Sequence, residues 1–233
     1  MPETLEDLLM KQPPTAERPL LGTIVLVVED SRHACESLRL ICQRSGARIR
    51  RAESLGSAQR HLRAYRPRIA IIDMGLPDGS GASLIADLDR GEPRIEAIVA
   101  ISGDESQAEA AMEAGADLFL PKPFASVSAF QASLLSLLPA SSKPRRIAAP
   151  LEDEISPDPI ALRDDLSLIT ELLRTGPDAE TCDYAVGFLN GLGKSADDAT
   201  IRTLAEKLAR QGTDIALQLA SELQAHAHAI QVD

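Results

Sequence analysis

Tryptophan is absent from these 233 residues, and only two tyrosines and four phenylalanines are present. So sparse an aromatic set argues against a surface on which nucleic-acid bases stack. Cysteine is scarce as well: three in the chain, too few and too scattered for a disulfide framework. Cys35 and Cys42 stand seven apart on one predicted helix. Small apolar packing in a reducing compartment is their expected role. No charged-then-apolar start resembles a signal peptide, and no apolar run approaches the roughly 20 residues that span a bilayer. These absences lead us to expect a soluble, cytoplasmic protein with no membrane partner. Basic charge is missing from one part only. Residues 1–150 carry 19 acidic and 18 basic side chains, whereas 151–233 carry 16 acidic and 6 basic. A DNA-binding module normally presents a basic face, so the second part argues against nucleic acid as a partner.

What is present is a regular alternation of apolar runs and amphipathic stretches. Residues 1–21 read as an N-terminal extension, with Thr4 and Asp7 in capping-box spacing and Pro13-Pro14 as a stop. Ile24 to Val28 is a continuous, mostly β-branched run, as expected for a strand buried on both faces. Ser31 to Arg44 is amphipathic, with Ala34, Cys35, Leu38, Ile41 and Cys42 on one face. Four more strand-then-helix units follow. The strands are 47–52, 68–72, 95–101 and 117–120, and the helices 54–65, 81–90, 105–114 and 127–138. Five such units with short links predict an α/β domain over 22–138: a doubly wound, five-stranded parallel sheet with helices on both faces. Residues 139–159 then hold five prolines and no apolar period, which reads as a linker.

Residues 160–233 predict an all-α region of about four helices. They are Ile160–Arg174, Ala179 to about Leu192 with Gly193 as its end, Asp198–Arg210, and Asp214 to about Ile230 with Thr213 as N-cap. Their apolar stripes need partners, so this region reads as a small bundle, an output unit or a homodimerising one. Gly187, Gly191 and Gly193 do not form a nucleotide loop, because no strand precedes them; close helix packing explains the first two better. His33 is expected to be a solvated helix residue. His226 and His228 lie two apart on a helix and point to different faces.

The chemistry gathers at strand ends. Glu29-Asp30 follows the first strand, Asp73 the third, Ser102 the fourth and Lys122 the fifth. In a parallel sheet these ends share one edge, where open α/β folds bind ligands. Three carboxylates there would repel one another, and a hard divalent cation such as Mg²⁺ resolves that repulsion. Asp73 is placed to act as a nucleophile on a phosphoryl group. Lys122 would neutralise its oxygens, Ser102 would donate to one of them, and the Gly75 carbonyl would add a metal ligand.

The residues VLVVED, DMGLPDGSG, AISGD and GADLFLPKPF together resemble the receiver domains of two-component response regulators, over about Thr23 to Leu138. The resemblance implies a flavodoxin-like strand order 2-1-3-4-5, with Asp73 as phosphoacceptor and Lys122 as the active-site lysine followed by a cis peptide bond to Pro123. It also implies that Phe119 and Ser102 move together as a switch. Departures are mild: Glu29 stands for the usual aspartate and Ser102 for the commoner threonine.

The function expected is a response regulator phosphorylated on Asp73 in a Mg²⁺-dependent reaction. The donor is a histidine kinase or phosphotransfer protein, and output runs through protein contacts of the C-terminal helices. It is expected to be no enzyme beyond its own phosphorylation and dephosphorylation. A DNA-binding transcriptional regulator is the alternative, and a locked receiver acting as a scaffold is the alternative from another class.

Overall fold

The computed structural model describes residues 13–124, 126–139, 143–144 and 158–230. The predicted capping box at Thr4 and most of the proline-rich 139–159 stretch lie outside the described residues. Ten elements alternate in the first part. They are β1 (Ile24–Val28), α1 (Arg32–Arg44), β2 (Arg48–Ala52), α2 (Leu55–Ala64), β3 (Ile69–Asp73), α3 (Gly81–Arg90), β4 (Ala97–Ser102), α4 (Ala108–Glu113), β5 (Leu118–Pro121) and α5 (Val127–Leu137). The five strands form one parallel sheet in the order β2-β1-β3-β4-β5.

The period of two along each strand builds two cores. Val25, Val27, Ile71 and Val99 pack against Leu38 and Ile41 of α1 and Phe130 and Leu134 of α5. Leu26, Val28, Ile72 and Ile98 face the other way, onto Ala58 of α2, Leu84 and Ile85 of α3, and Ala111 of α4. Both faces are covered, which is why the central strands read as unbroken apolar runs. Serines start four of the helices. Ser31, Ser54, Ser80 and Ser126 each accept an amide hydrogen bond from the first turn that follows. Cys35 and Cys42 are free and buried in the α1 core, as their spacing predicts. The described part of the N-terminal extension packs on the sheet domain: Leu20 is buried, and its amide donates to the Ser45 carbonyl at 2.8 Å.

The second part is helical: α6 (Pro159–Arg174), α7 (Ala179–Ser195), α8 (Ala199–Gln211) and α9 (Ala216–Ala229). Leu166, Ile169 and Leu173 of α6 meet Leu189, Leu204, Leu208, Leu219 and Leu223 in a core separate from the two sheet cores. Two boundaries differ from the sequence reading. Helix α7 does not stop at Gly193 but runs on to Ser195. A Cβ at Gly193 would sit 2.8 Å from Cγ of Arg202, so this glycine serves close approach to α8 and not termination. The chain leaves α7 at Asp197, with φ of 50°. Thr213 does not cap the last helix either. A 3₁₀ turn, Gly212–Ile215, leads into α9, and the Ala216 amide takes the Thr213 backbone carbonyl instead of a side chain. No helix among the described residues is long and apolar enough to cross a membrane.

Candidate functional site

The register of the sheet brings the predicted residues to one edge. Asp73 ends β3 opposite Ile101, one residue before Ser102 on β4. The Lys122 amide donates to the Ser102 carbonyl at 2.8 Å, which ties the end of β5 to the end of β4. The loop after Asp73 turns back through a two-residue antiparallel ladder, 75–76 with 79–80. It closes so tightly that a Cβ at Gly81 would lie 2.0 Å from the Asp73 carbonyl oxygen. The glycines of the DGSG run therefore have a steric reason to be there.

All five side chains of the predicted site come together. Lys122 Nζ lies 2.5 Å from Oε2 of Glu29 and 2.7 Å from Oδ1 of Asp73. The other Asp73 oxygen accepts the Gly75 amide at 2.9 Å. The Ser31 amide donates to both Glu29 (3.1 Å) and Asp30 (3.0 Å). Ser102 Oγ accepts from the Asp104 amide at 3.0 Å. Each of these side chains is buried. Phe119 is half-buried on β5 and packs against the core on the α2–α4 side of the sheet. The Lys122–Pro123 peptide bond is cis, as the resemblance implies, and so is Glu92–Pro93.

Burial sets the electrostatics. It pushes the Glu29 carboxyl up to about 8; Lys122 opposes that rise, and the Asp73 and Asp30 charges add to it. Burial also lifts Asp30 to about 6, against a hydrogen bond from Tyr184. Lys122 loses solvation too, but Asp73 and Glu29 outweigh that loss and hold its ammonium charged well above the ordinary lysine value. Ligand atoms of Glu29, Asp30 and Asp73 lie within 4.8 Å of one another. An all-oxygen set of closely spaced carboxylates, two of them strained towards protonation, fits a hard divalent cation such as Mg²⁺.

The structure also brings residues to this edge that the sequence reading missed. Helix α7 lies over it. Tyr184 donates its phenol hydrogen to Oδ2 of Asp30 at 2.5 Å. Lys194 donates to the Gly103 carbonyl. Between α7 and the strand ends is a cavity of about 590 Å³, lined by Asp73, Ser102 and Lys122 on one side and Tyr184, Asn190 and Lys194 on the other. Next to it, Asp165 of α6 accepts from Ser31 Oγ (2.8 Å), the Arg32 amide (2.9 Å) and the His33 amide (3.0 Å), so the bundle supplies an anion to the N-terminus of α1. No local pattern could have paired residues 134 apart.

His33 corrects an expectation. It is 5% exposed, not solvated, because the bundle packs over the start of α1. Neither ring nitrogen makes a hydrogen bond, although the Ser195 carbonyl lies near enough to favour the charged ring. His226 pairs with Asp198 at 2.7 Å and so braces the N-cap of α8.

A doubly wound flavodoxin-like sheet with an acid cluster, a lysine and a hydroxyl at its carboxyl edge defines the class of this first domain. Residues 25–133 match the family model of the response regulator receiver domain, and this part of the chain is a receiver domain. The chain is 36% identical over 102 residues to the KDP operon transcriptional regulatory protein KdpE of Escherichia coli K12, covering 44% of this chain and 45% of that protein. It is 36% identical over 102 residues to the virulence transcriptional regulatory protein PhoP of Salmonella typhimurium, covering 43% and 45%. The chain thus spans less than half the length of these curated relatives. Among solved structures, a putative response regulator from Chloroflexus aurantiacus is 27% identical with a TM-score of 0.47, covering 49% of this chain and 96% of that one. Residues 134–233 fall outside the family match.

Proposed function

We propose that the chain is a two-component response regulator whose Asp73 accepts a phosphoryl group from the phosphohistidine of a kinase or phosphotransfer protein. The observation that carries this reading is the buried Lys122 bridge between Glu29 and Asp73, set against a third carboxylate at the carboxyl edge of the sheet. An Asp73 oxygen attacks phosphorus; the new O–P bond forms as the P–N bond to the donor imidazole breaks, and the imidazole leaves with the electron pair. Lys122 is already ion-paired to the attacking carboxylate and follows the charge onto the phosphoryl oxygens. The Ser102 hydroxyl, beside the same cavity, donates to one of them. Glu29, Asp30, Asp73 and the Gly75 carbonyl would hold Mg²⁺, which when bound offsets the negative charge of the phosphoryl group and the carboxylates. The domain catalyses only its own phosphorylation and the hydrolysis of its acyl phosphate. It works in the cytoplasm, where its kinase donor has access to nucleotide.

Phosphorylation would shift Ser102 and Phe119, and output would follow through protein contacts of helices α6–α9. A second reading has an observation in its favour: KdpE and PhoP are named as transcriptional regulators. It transfers only across the receiver, and 151–233 carry 16 acidic against 6 basic residues, a poor balance for DNA. Acetyl phosphate with Mg²⁺ should label wild-type protein at one site. D73A should abolish the label, a loss of more than a hundredfold in labelling rate. Labelling that persists in D73A sinks the assignment. Specific retention of a promoter fragment by the phosphorylated protein at physiological salt would favour the DNA-binding reading.

A further inference from the structure

The helical bundle meets the receiver at the groups that the proposed reaction uses. Tyr184, Gly187, Phe188, Gly191 and Ser195 recur at helical spacing along α7 and line the cavity above Asp73. Three contacts seat this face. The Tyr184 phenol is bonded to Asp30, and the Lys194 ammonium is bonded to the Gly103 carbonyl. At the third, two backbones touch: a Cβ on Gly103 would lie 2.7 Å from Cα of Gly191. Gly187 has open space around it, so its lack of a side chain leaves the cavity clear and does not serve packing.

Both oxygens of Asp30 are engaged in this arrangement, Oδ1 by the Ser31 amide and Oδ2 by the phenol. The Ser31 amide belongs to the receiver itself, whereas the phenol comes from the bundle. We propose that α7 is a displaceable roof over the phosphoacceptor site, in which Tyr184 is a positioning residue that competes with the divalent cation for Asp30. The inference rests on the phosphoacceptor reading above and adds a regulation to it. A phenol hydrogen directed at a carboxylate oxygen and a cation on that same carboxylate cannot both take up their best geometry. Cation loading therefore weakens the seat of α7, and the seated helix weakens cation binding by the same factor, since coupling between two sites is reciprocal. Phosphorylation, which depends on the loaded cation, would thereby free the α7 face and the α6–α1 contact for a partner.

The test uses the full chain. Tyr184→Phe removes the competing hydrogen and little else. Gly103→Ala adds a methyl group that must push α7 away, without changing any charge. Calorimetric titration with Mg²⁺ should show tighter binding in both variants, about tenfold for Y184F, as expected for losing a hydrogen bond to a charged group. Hydrogen exchange of residues 179–195 should quicken in both variants, and in wild type on adding Mg²⁺ with beryllofluoride. Unchanged or weaker Mg²⁺ binding in both variants, with exchange of α7 unaltered, overturns the roof. If Asp73 is still labelled by acetyl phosphate in that case, the phosphoacceptor reading stands and only the roof falls. If wild type and variants neither bind Mg²⁺ nor accept label, both fall.

Discussion

The two parts of the chain use their acidic residues in opposite ways. In the receiver, acids and bases nearly balance, and three carboxylates are gathered at one edge, where burial strains two of them towards protonation. In the bundle acids far outnumber bases and, among the described residues, are not gathered into one cluster; three of them, Asp158, Asp178 and Asp198, each cap the helix that follows. Asp165 does the same for a helix of the other domain. Clustered carboxylates store repulsion that a cation can relieve, while those set singly at helix starts are already satisfied by amides. A strongly acidic region is thus no sign of a binding surface until its acids have been placed.

This contrast can be broken at several points. The largest effect on stability is expected within the bundle. Leu189→Ala, at a fully buried position, should cost about 3 kcal/mol and lower the bundle's denaturation midpoint, read by urea titration. If the bundle core is independent, the exchange protection of β1, β3 and β4 should be nearly unchanged. Next comes Asp165→Ala. It leaves two amides and a hydroxyl at the start of α1 without their acceptor, at a cost of about 2 kcal/mol. Hydrogen exchange should quicken at the first turn of α1 and along α6 together; quickening in α6 alone would mean that Asp165 does not join the domains.

The smallest effect is a pH dependence at the same junction. Burial lowers the pKa of His33 from its ordinary 6.5, against the Ser195 carbonyl and the Asp165 charge. The folded state therefore prefers the neutral ring. Its contribution is fully present above pH 6.5 and is lost as pH falls through the lowered value. The protection of α6 and α7 against exchange, taken relative to the intrinsic amide rate, should fall in wild type as pH drops below 6.5 and through the lowered value. His33→Leu should flatten that part of the profile; an equally steep profile in the variant would assign it to another group.

Much of the receiver is legible in the sequence because its signals are local. An apolar run closed by an acid at Asp73, a GADLFLPKPF run that places Lys122, and serines before helices all act within a few residues. The sheet then multiplies those local facts by stacking strand ends along one edge. The bundle's helices are legible for the same reason, through stripes such as Leu162, Leu166, Ile169 and Leu173. Their docking is not. A stripe states that a helix needs a partner, not which one, and the face of α7 that meets the receiver mixes two aromatics, Tyr184 and Phe188, with glycines and polar residues, which does not read as an apolar stripe. Tyr184 had no signal beyond being one of two tyrosines. His33 looked solvated because its neighbours in sequence say nothing about a helix arriving from residue 195. Gly193 misled because a glycine that ends a helix and one that admits a neighbouring helix are identical on paper.

The acid at the start of α1 also bears on the order of assembly. A ribosome releases α1 long before Asp165, which lies 134 residues beyond Ser31. The nascent receiver must hold that helix start with its own means, and the Ser31 hydroxyl, which accepts the Ala34 amide at 3.0 Å, supplies them. When α6 emerges, the same hydroxyl turns its hydrogen to Asp165 and keeps its lone pair for the amide. One serine thus serves both as the cap of its own helix and as the latch to a helix made much later.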